Sequence, residues 1–207
     1  MERVATVHDL LRIEGDLGGE VPAWVAASLR RAPWVVVRRG ASPPSHIAVG
    51  IRGTSRDQRF AAFVPAERVL ERITPEHLAA CRTWRTSHRL GRVPALSTLE
   101  AIAPVLDDTG LRWGPAGSVG FELASGVDTA REGSDLDLVV RAQVPIPRSQ
   151  ARALVAYLAR QPVAVDVRIE TPAGAIALLE LASSTASLLL RTSTEGARLV
   201  ADPWQAP

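Results

Sequence analysis

Asp135 and Asp137, separated by one residue in the run Ser134-Asp-Leu-Asp137, are the first side chains in this sequence whose type and spacing suggest chemistry. In an extended strand, residues two apart point to the same face, so both carboxylates address one site. At about 4 Å, two like charges repel by roughly 1 kcal/mol in water and about 4 kcal/mol at an effective dielectric near 20. A partly buried pair therefore needs cations or a shared proton, and a hard divalent metal meets that need. Upstream, Leu111 to Gly114 reads as a strand, Pro115 to Gly117 as a tight turn, and Ser118 as the start of a helix carrying Val119, Phe121 and Leu123. Free backbone N–H groups at such a helix start favour an anion, with the Ser118 hydroxyl beside them; Ser118 reads equally well as a plain N-cap. Downstream, Val163 to Glu170 alternates as a strand interrupted by Asp166, which is either a strand-edge acid or a third carboxylate for the same metal site.

The surrounding elements must bring these residues together. A helical pattern begins at Pro22 and ends at Pro33, and the β-branched run Trp34 to Val37 reads as a buried strand. His46 to Arg52 and Gln58 to Val64 form a hairpin through a turn at Gly53 to Arg56, making the front section a small α+β unit. Thr74 is placed as N-cap with Pro75 at the first helical position, and that helix is expected to reach about Arg85. Within it Cys81 reads as a small packing residue. The basic segment Ser87 to Pro94, broken by Gly91 and Pro94, reads as a solvated linker and as the domain boundary. Further helices are expected over Ala95 to Asp107, Arg148 to Arg160 and Gly174 to Ala182. Strands are expected over Asp135 to Arg141 and Ser187 to Thr192, with a turn near Glu195-Gly196 and a last strand ending at Asp202 to Trp204.

Composition narrows the class. The 207 residues are 46% hydrophobic and 22% charged, ordinary globular values that predict a sizeable core. All 24 basic residues are arginine, which reads as a codon bias, although guanidinium forks also suit phosphates. A net charge of +2 is a poor footprint for nucleic-acid binding. No apolar stretch suits a membrane span, and the single cysteine with no signal-like start points to a reducing, cytoplasmic setting. His8, His46, His77 and His88 are scattered, without the spacing of a zinc site.

Gly117-Ser118, Ser134-Asp-Leu-Asp137 and Asp166 on a later strand together resemble the nucleotidyltransferase superfamily. Further motifs, Pro33-Trp-Val-Val-Val-Arg-Arg39, Val49-Gly-Ile-Arg-Gly53, Gln58-Arg-Phe-Ala61, Trp113 to Leu123 and Val165 to Pro172, resemble the phosphoribosyl-dephospho-CoA transferases, the holo-acyl-carrier-protein synthases of malonate decarboxylase. That resemblance implies an α+β fold. Its parts would be a smaller, family-specific α+β N-terminal domain over residues 1–88 and a nucleotidyltransferase-like mixed sheet flanked by helices over residues 89–207. It also implies the reaction: a serine of an apo acyl-carrier protein attacks triphosphoribosyl-dephospho-CoA, a phosphodiester forms and pyrophosphate leaves. Asp135 and Asp137 would hold Mg²⁺ or Mn²⁺, Asp166 would complete a second metal site or help deprotonate the serine, and Gly117 and Ser118 would grip the triphosphate. No catalytic cysteine or histidine is required. Carriers of this kind are usually acidic, and Arg38, Arg39, Arg52, Arg56 and Arg59 suit such a carrier, the precursor's phosphates, or simply a soluble surface. Trp113 reads as core rather than an adenine platform, and Glu122 as solvent-facing. The alternatives are a nucleotidyltransferase moving AMP or another nucleotide, and a non-catalytic nucleotide-binding regulatory module.

Overall fold

A computed structural model describes residues 5–55, 57–184, 186–193 and 196–205. The turn residues Arg56 and Glu195 lie outside that set.

In the front half, short β-branched segments form a five-stranded antiparallel sheet in the order β4-β3-β2-β1-β5. Its strands are β1 (Leu10–Ile13), β2 (Trp34–Val37), β3 (His46–Arg52), β4 (Arg59–Pro65) and β5 (Val69–Ile73). One face is covered by α1 (Ala23–Arg31), with Val25 and Leu29 meeting Leu11, Val35, Val49 and Ile51. The other face places Leu10 and Trp34 against Leu78, with Phe121 and Leu123 packed around them, so the front sheet docks on the second half of the chain. Sequence reasoning missed β1 and β5 as strands. Both are short, and β5 is an edge strand whose charged residues are paired across it: Arg12 Nε donates to Glu71 at 2.9 Å and Arg72 Nε to Asp9 at 2.6 Å.

Helix α2 (Pro75–Cys81) starts as expected, with the His77 N–H donating to Thr74 Oγ1 at 3.1 Å. It stops early because Arg82 turns left-handed at φ 52°, and residues Thr83–Thr86 form a separate 3₁₀ turn that buries Trp84. Cys81 is exposed rather than packed. Next come α3 (Pro94–Asp108), β6 (Arg112–Pro115), α4 (Gly117–Ser125), β7 (Leu136–Arg141), α5 (Arg148–Leu158), β8 (Val165–Thr171), β9 (Gly174–Ala177), α6 (Leu178–Ser183), β10 (Leu188–Arg191) and β11 (Ala197–Val200).

These strands build a six-stranded mixed sheet in the order β11-β10-β9-β8-β7-β6, in which β7 and β8 are parallel and joined through α5. The expected helix from Gly174 to Ala182 is instead a strand followed by a helix. Gly174 closes a tight turn in which the Thr171 hydroxyl donates to its carbonyl at 2.9 Å. Ile176 then pairs with Ile169 across the sheet, and both are fully buried. An apolar run fits either element by pattern alone, and sheet pairing decided this one.

Leu136, Leu138, Val140, Val167 and Ile169 point into the main core, where they meet Leu99 and Ile102 of α3 and Leu154 of α5. Alternation turns Asp137 and Arg141 of β7, with Asp166, Arg168 and Glu170 of β8, to the opposite face. There Arg141 and Glu170 meet the front half of the chain.

Candidate active site

The parallel register makes Asp137 and Asp166 Cα partners on adjacent strands. Asp135 lies just ahead of β7 and is exposed, as is Asp166, whereas Asp137 is partly buried. Burial foremost pushes the Asp137 carboxyl up from the usual carboxylate range; the Asp166 and Asp135 charges push the same way, while Arg52 and His8 oppose them. The structure thus gathers the expected acids into one electrostatically coupled patch. Among the described residues no group of three or more His, Cys, Asp and Glu side chains comes together as a ready-made metal cage. A pair of carboxylates completed by substrate oxygens is, however, the usual manner of holding Mg²⁺. The donor set and the raised Asp137 therefore fit a divalent cation.

The glycine turn sits directly on Asp137. The Ala116 N–H donates to the Asp137 carbonyl at 2.8 Å, which ties the start of α4 to β7. Gly117 follows at φ +57°, and a Cβ there would lie 1.8 Å from Asp137 Oδ2, so both conformation and space require glycine. The helix begins at Gly117, with Ala116 as N-cap and no side-chain capping bond. Ser118 is therefore the second helical residue and not the cap, and among the described residues no side chain caps the first-turn N–H groups, which leaves them to an anion beside Asp137.

Glu122, expected in solvent, is buried at 6% exposure. One oxygen accepts from Arg89 Nη1 at 2.7 Å and from the Thr129 and Ala130 N–H groups at 2.8 Å each. Arg89 also donates to the Ala130 carbonyl at 2.7 Å, so it belongs to this anchor and not to a solvated linker. Together they fix the loop that leads from α4 to Asp135. Trp113 is a buried core residue, as expected, with its indole N–H on Asp107 at 3.0 Å.

The front sheet closes over the acid-bearing face. His8, at φ +73°, places Nε2 3.0 Å from Glu170 Oε1, and Arg39 Nη2 donates to the other Glu170 oxygen. Burial alone would raise the Glu170 carboxyl, but these hydrogen bonds and charges outweigh it and hold it below its ordinary value. Asp9, fully buried, accepts from Arg72 and from Arg141 Nη2 at 2.7 Å. Arg131 Nη2 donates to the Thr54 carbonyl at 2.7 Å, so the β3–β4 hairpin is tied to the loop before Asp135. Sequence reasoning missed His8, Asp9, Arg141 and Glu170. Arg141 and Glu170 left a signal, each lying four residues past an acid, Asp137 or Asp166, on a strand and hence on the same face.

Paired acids facing an uncapped helix start can hold a divalent cation together with a phosphorylated ligand. Residues 77–203 match the family model described as phosphoribosyl-dephospho-CoA transferase MdcG C-terminal domain, and residues 6–75 match the corresponding N-terminal domain. The chain is 42% identical over 206 residues to the phosphoribosyl-dephospho-CoA transferase of Pseudomonas fluorescens (strain Pf0-1), covering 99% of this chain and 97% of that protein. The Azotobacter vinelandii transferase of the same name is 42% identical over 96% of this chain and 93% of its own length. That of Pseudomonas aeruginosa is 38% identical over 96% and 93%. No solved structure gives a significant match. The protein is a transferase enzyme. It belongs to the phosphoribosyl-dephospho-CoA transferase MdcG family.

Proposed function

We propose that the chain transfers the phosphoribosyl-dephospho-CoA group from its triphosphoribosyl precursor to a serine of the apo acyl-carrier protein of malonate decarboxylase, releasing pyrophosphate. The observation that carries this reading is the register of Asp137 with Asp166, with the Gly117 backbone against Asp137. The second half is read as a nucleotidyltransferase-like fold on the same grounds.

Asp137 and Asp166, with Asp135 beside them, would hold Mg²⁺ or Mn²⁺, which supplies charge neutralisation for the transferring phosphoryl group when bound. The open N–H groups at Gly117 and Ser118 orient the triphosphate so that its terminal pyrophosphate leaves in line. Phosphoryl transfer depends chiefly on such positioning and on electrostatics, so no covalent intermediate on the enzyme is needed. Asp166 is exposed, which leaves it accessible to an incoming serine hydroxyl. In this reading its carboxylate accepts the serine proton. Of the arginines considered from sequence, Arg52 is electrostatically coupled to Asp137 and Arg39 is committed to Glu170. Arg56 lies outside the described residues.

The test is to incubate the protein, Mg²⁺ and the apo carrier with either triphosphoribosyl-dephospho-CoA or ATP and to read the carrier's mass. An increase with the precursor alone is expected. A nucleotide adduct formed from ATP would overturn the reading.

A further inference from the structure

Beyond the rung formed by Arg141 and Glu170, the two sheets enclose a cleft of about 400 Å³. Its walls come from both halves of the chain, with Arg38, Ser42 and Ile47 on one side and Arg141, Gln143 and Glu170 on the other. The chemistry described so far uses none of this space. Its volume lies in the range of small-molecule sites, and junctions between structural units are where such sites form.

Its charged groups are held in place. Arg141 is bound to Asp9, and Glu170 to His8 and Arg39. Arg38 differs from both, because among the described residues its guanidinium hydrogen-bonds to carbonyls, those of Val49 and Arg39 at 3.2 Å each, and has no carboxylate partner. It lies over the Phe63 ring, 5.4 Å from the centroid. The cleft therefore offers a fixed positive charge to an anion, an apolar wall at Val7 and Ala48, and hydrogen-bonding groups at Ser42 and Gln143.

Position relative to the acids narrows the ligand. The Arg141 and Glu170 rung lies four residues along the same strands, on the same face as Asp137 and Asp166, or about 13 Å at the usual rise per residue. A ligand with its reacting phosphate at the acids and its length along β7 and β8 ends in the cleft.

We propose that this cleft binds the adenosine diphosphate portion of dephospho-CoA, with the purine on the Val7 and Ala48 wall and the diphosphate toward Arg38. The proposal rests on the transferase reading above. In the precursor, ribose rings separate the reacting phosphate from the purine, so one molecule spans both places. The front half then has a defined task, which is to form one wall of the substrate site.

The test is calorimetric titration of the full chain with 3'-dephospho-CoA and, separately, with magnesium pyrophosphate. Ser42→Trp and Gln143→Trp introduce an indole from opposite walls at exposed positions, and pyrophosphate binding is the control. Each tryptophan is expected to weaken dephospho-CoA binding at least about tenfold, or 1.4 kcal/mol, and to leave pyrophosphate binding unchanged. An unaltered protein that does not bind dephospho-CoA, or tryptophan variants that bind it normally, would overturn the proposal. If either occurs while the unaltered protein still labels the carrier from the precursor, the transferase reading stands and the cleft assignment alone falls. Failure to label the carrier overturns that reading and, with it, the reason for this ligand.

Discussion

Asp137 and Asp166 sit side by side on adjacent parallel strands, with Asp137 partly buried and Asp166 open to solvent. The pair thus has one carboxylate shielded against the glycine turn and one reachable by a second substrate.

Replacing Asp137 with asparagine should stabilise the metal-free protein while abolishing transfer. The folded-state value of this acid is raised, chiefly by burial, so its ionised form opposes folding above that value. The opposition disappears as pH falls through the folded value toward the ordinary carboxylate range. Asp137→Asn should therefore have a higher Tm than the unaltered protein at pH 7, and the difference should vanish in acid. A lower Tm at pH 7 would contradict the burial argument.

Gly117→Ala should be costly in both stability and activity. It combines a left-handed φ with a Cβ directed into Asp137, so a loss of about 1 kcal/mol or more is expected in urea unfolding. Carrier labelling should fall with it, because the helix start can no longer lie against the acid.

Glu170→Gln should loosen the front sheet from the acid-bearing face in a pH-dependent way. The folded value of Glu170 is lowered by His8 and Arg39 against the effect of burial, so its contribution is present above the ordinary glutamate value and lost as pH falls through the folded one. The variant should melt below the unaltered protein at pH 7, and their melting curves should converge in acid. A gap independent of pH would point to packing instead of charge.

Glu122→Ala should cost about 2 kcal/mol in urea unfolding, because it leaves the partly buried Arg89 guanidinium with only Asp128 at 3.6 Å and frees two loop N–H groups. A loss below about 0.5 kcal/mol would show that the anchor is dispensable.

Much of this site was legible in the sequence because its parts are local. An alternating strand with acids two apart, and a strand-turn-helix with glycine at the bend, are patterns a few residues long. Asp166 was readable as an interruption in an apolar alternation. The helix from Arg148 and the strand at His46–Arg52 were found for the same reason. What escaped depends on contacts made only after folding. His8 gains meaning from Glu170 at the far end of the chain, and Asp9 from Arg72 and Arg141. Glu122 occupies an unremarkable helix position until the following loop folds back onto it. The split of Gly174 to Ser183 into strand and helix was set by pairing with Arg168–Thr171, which no local pattern encodes.

The central claim is that Asp137 and Asp166 act as one centre in the transfer. The most direct measurement is the initial rate of carrier labelling from triphosphoribosyl-dephospho-CoA and Mg²⁺ for Asp137→Asn, Asp166→Asn and the double variant. Groups that work as a unit are strongly non-additive. Each single substitution should lower the rate by at least about a hundredfold, and the double should be little worse than either. An Asp166→Asn protein that labels the carrier at the unaltered rate, or a double variant whose loss is the product of the two single losses, would contradict it.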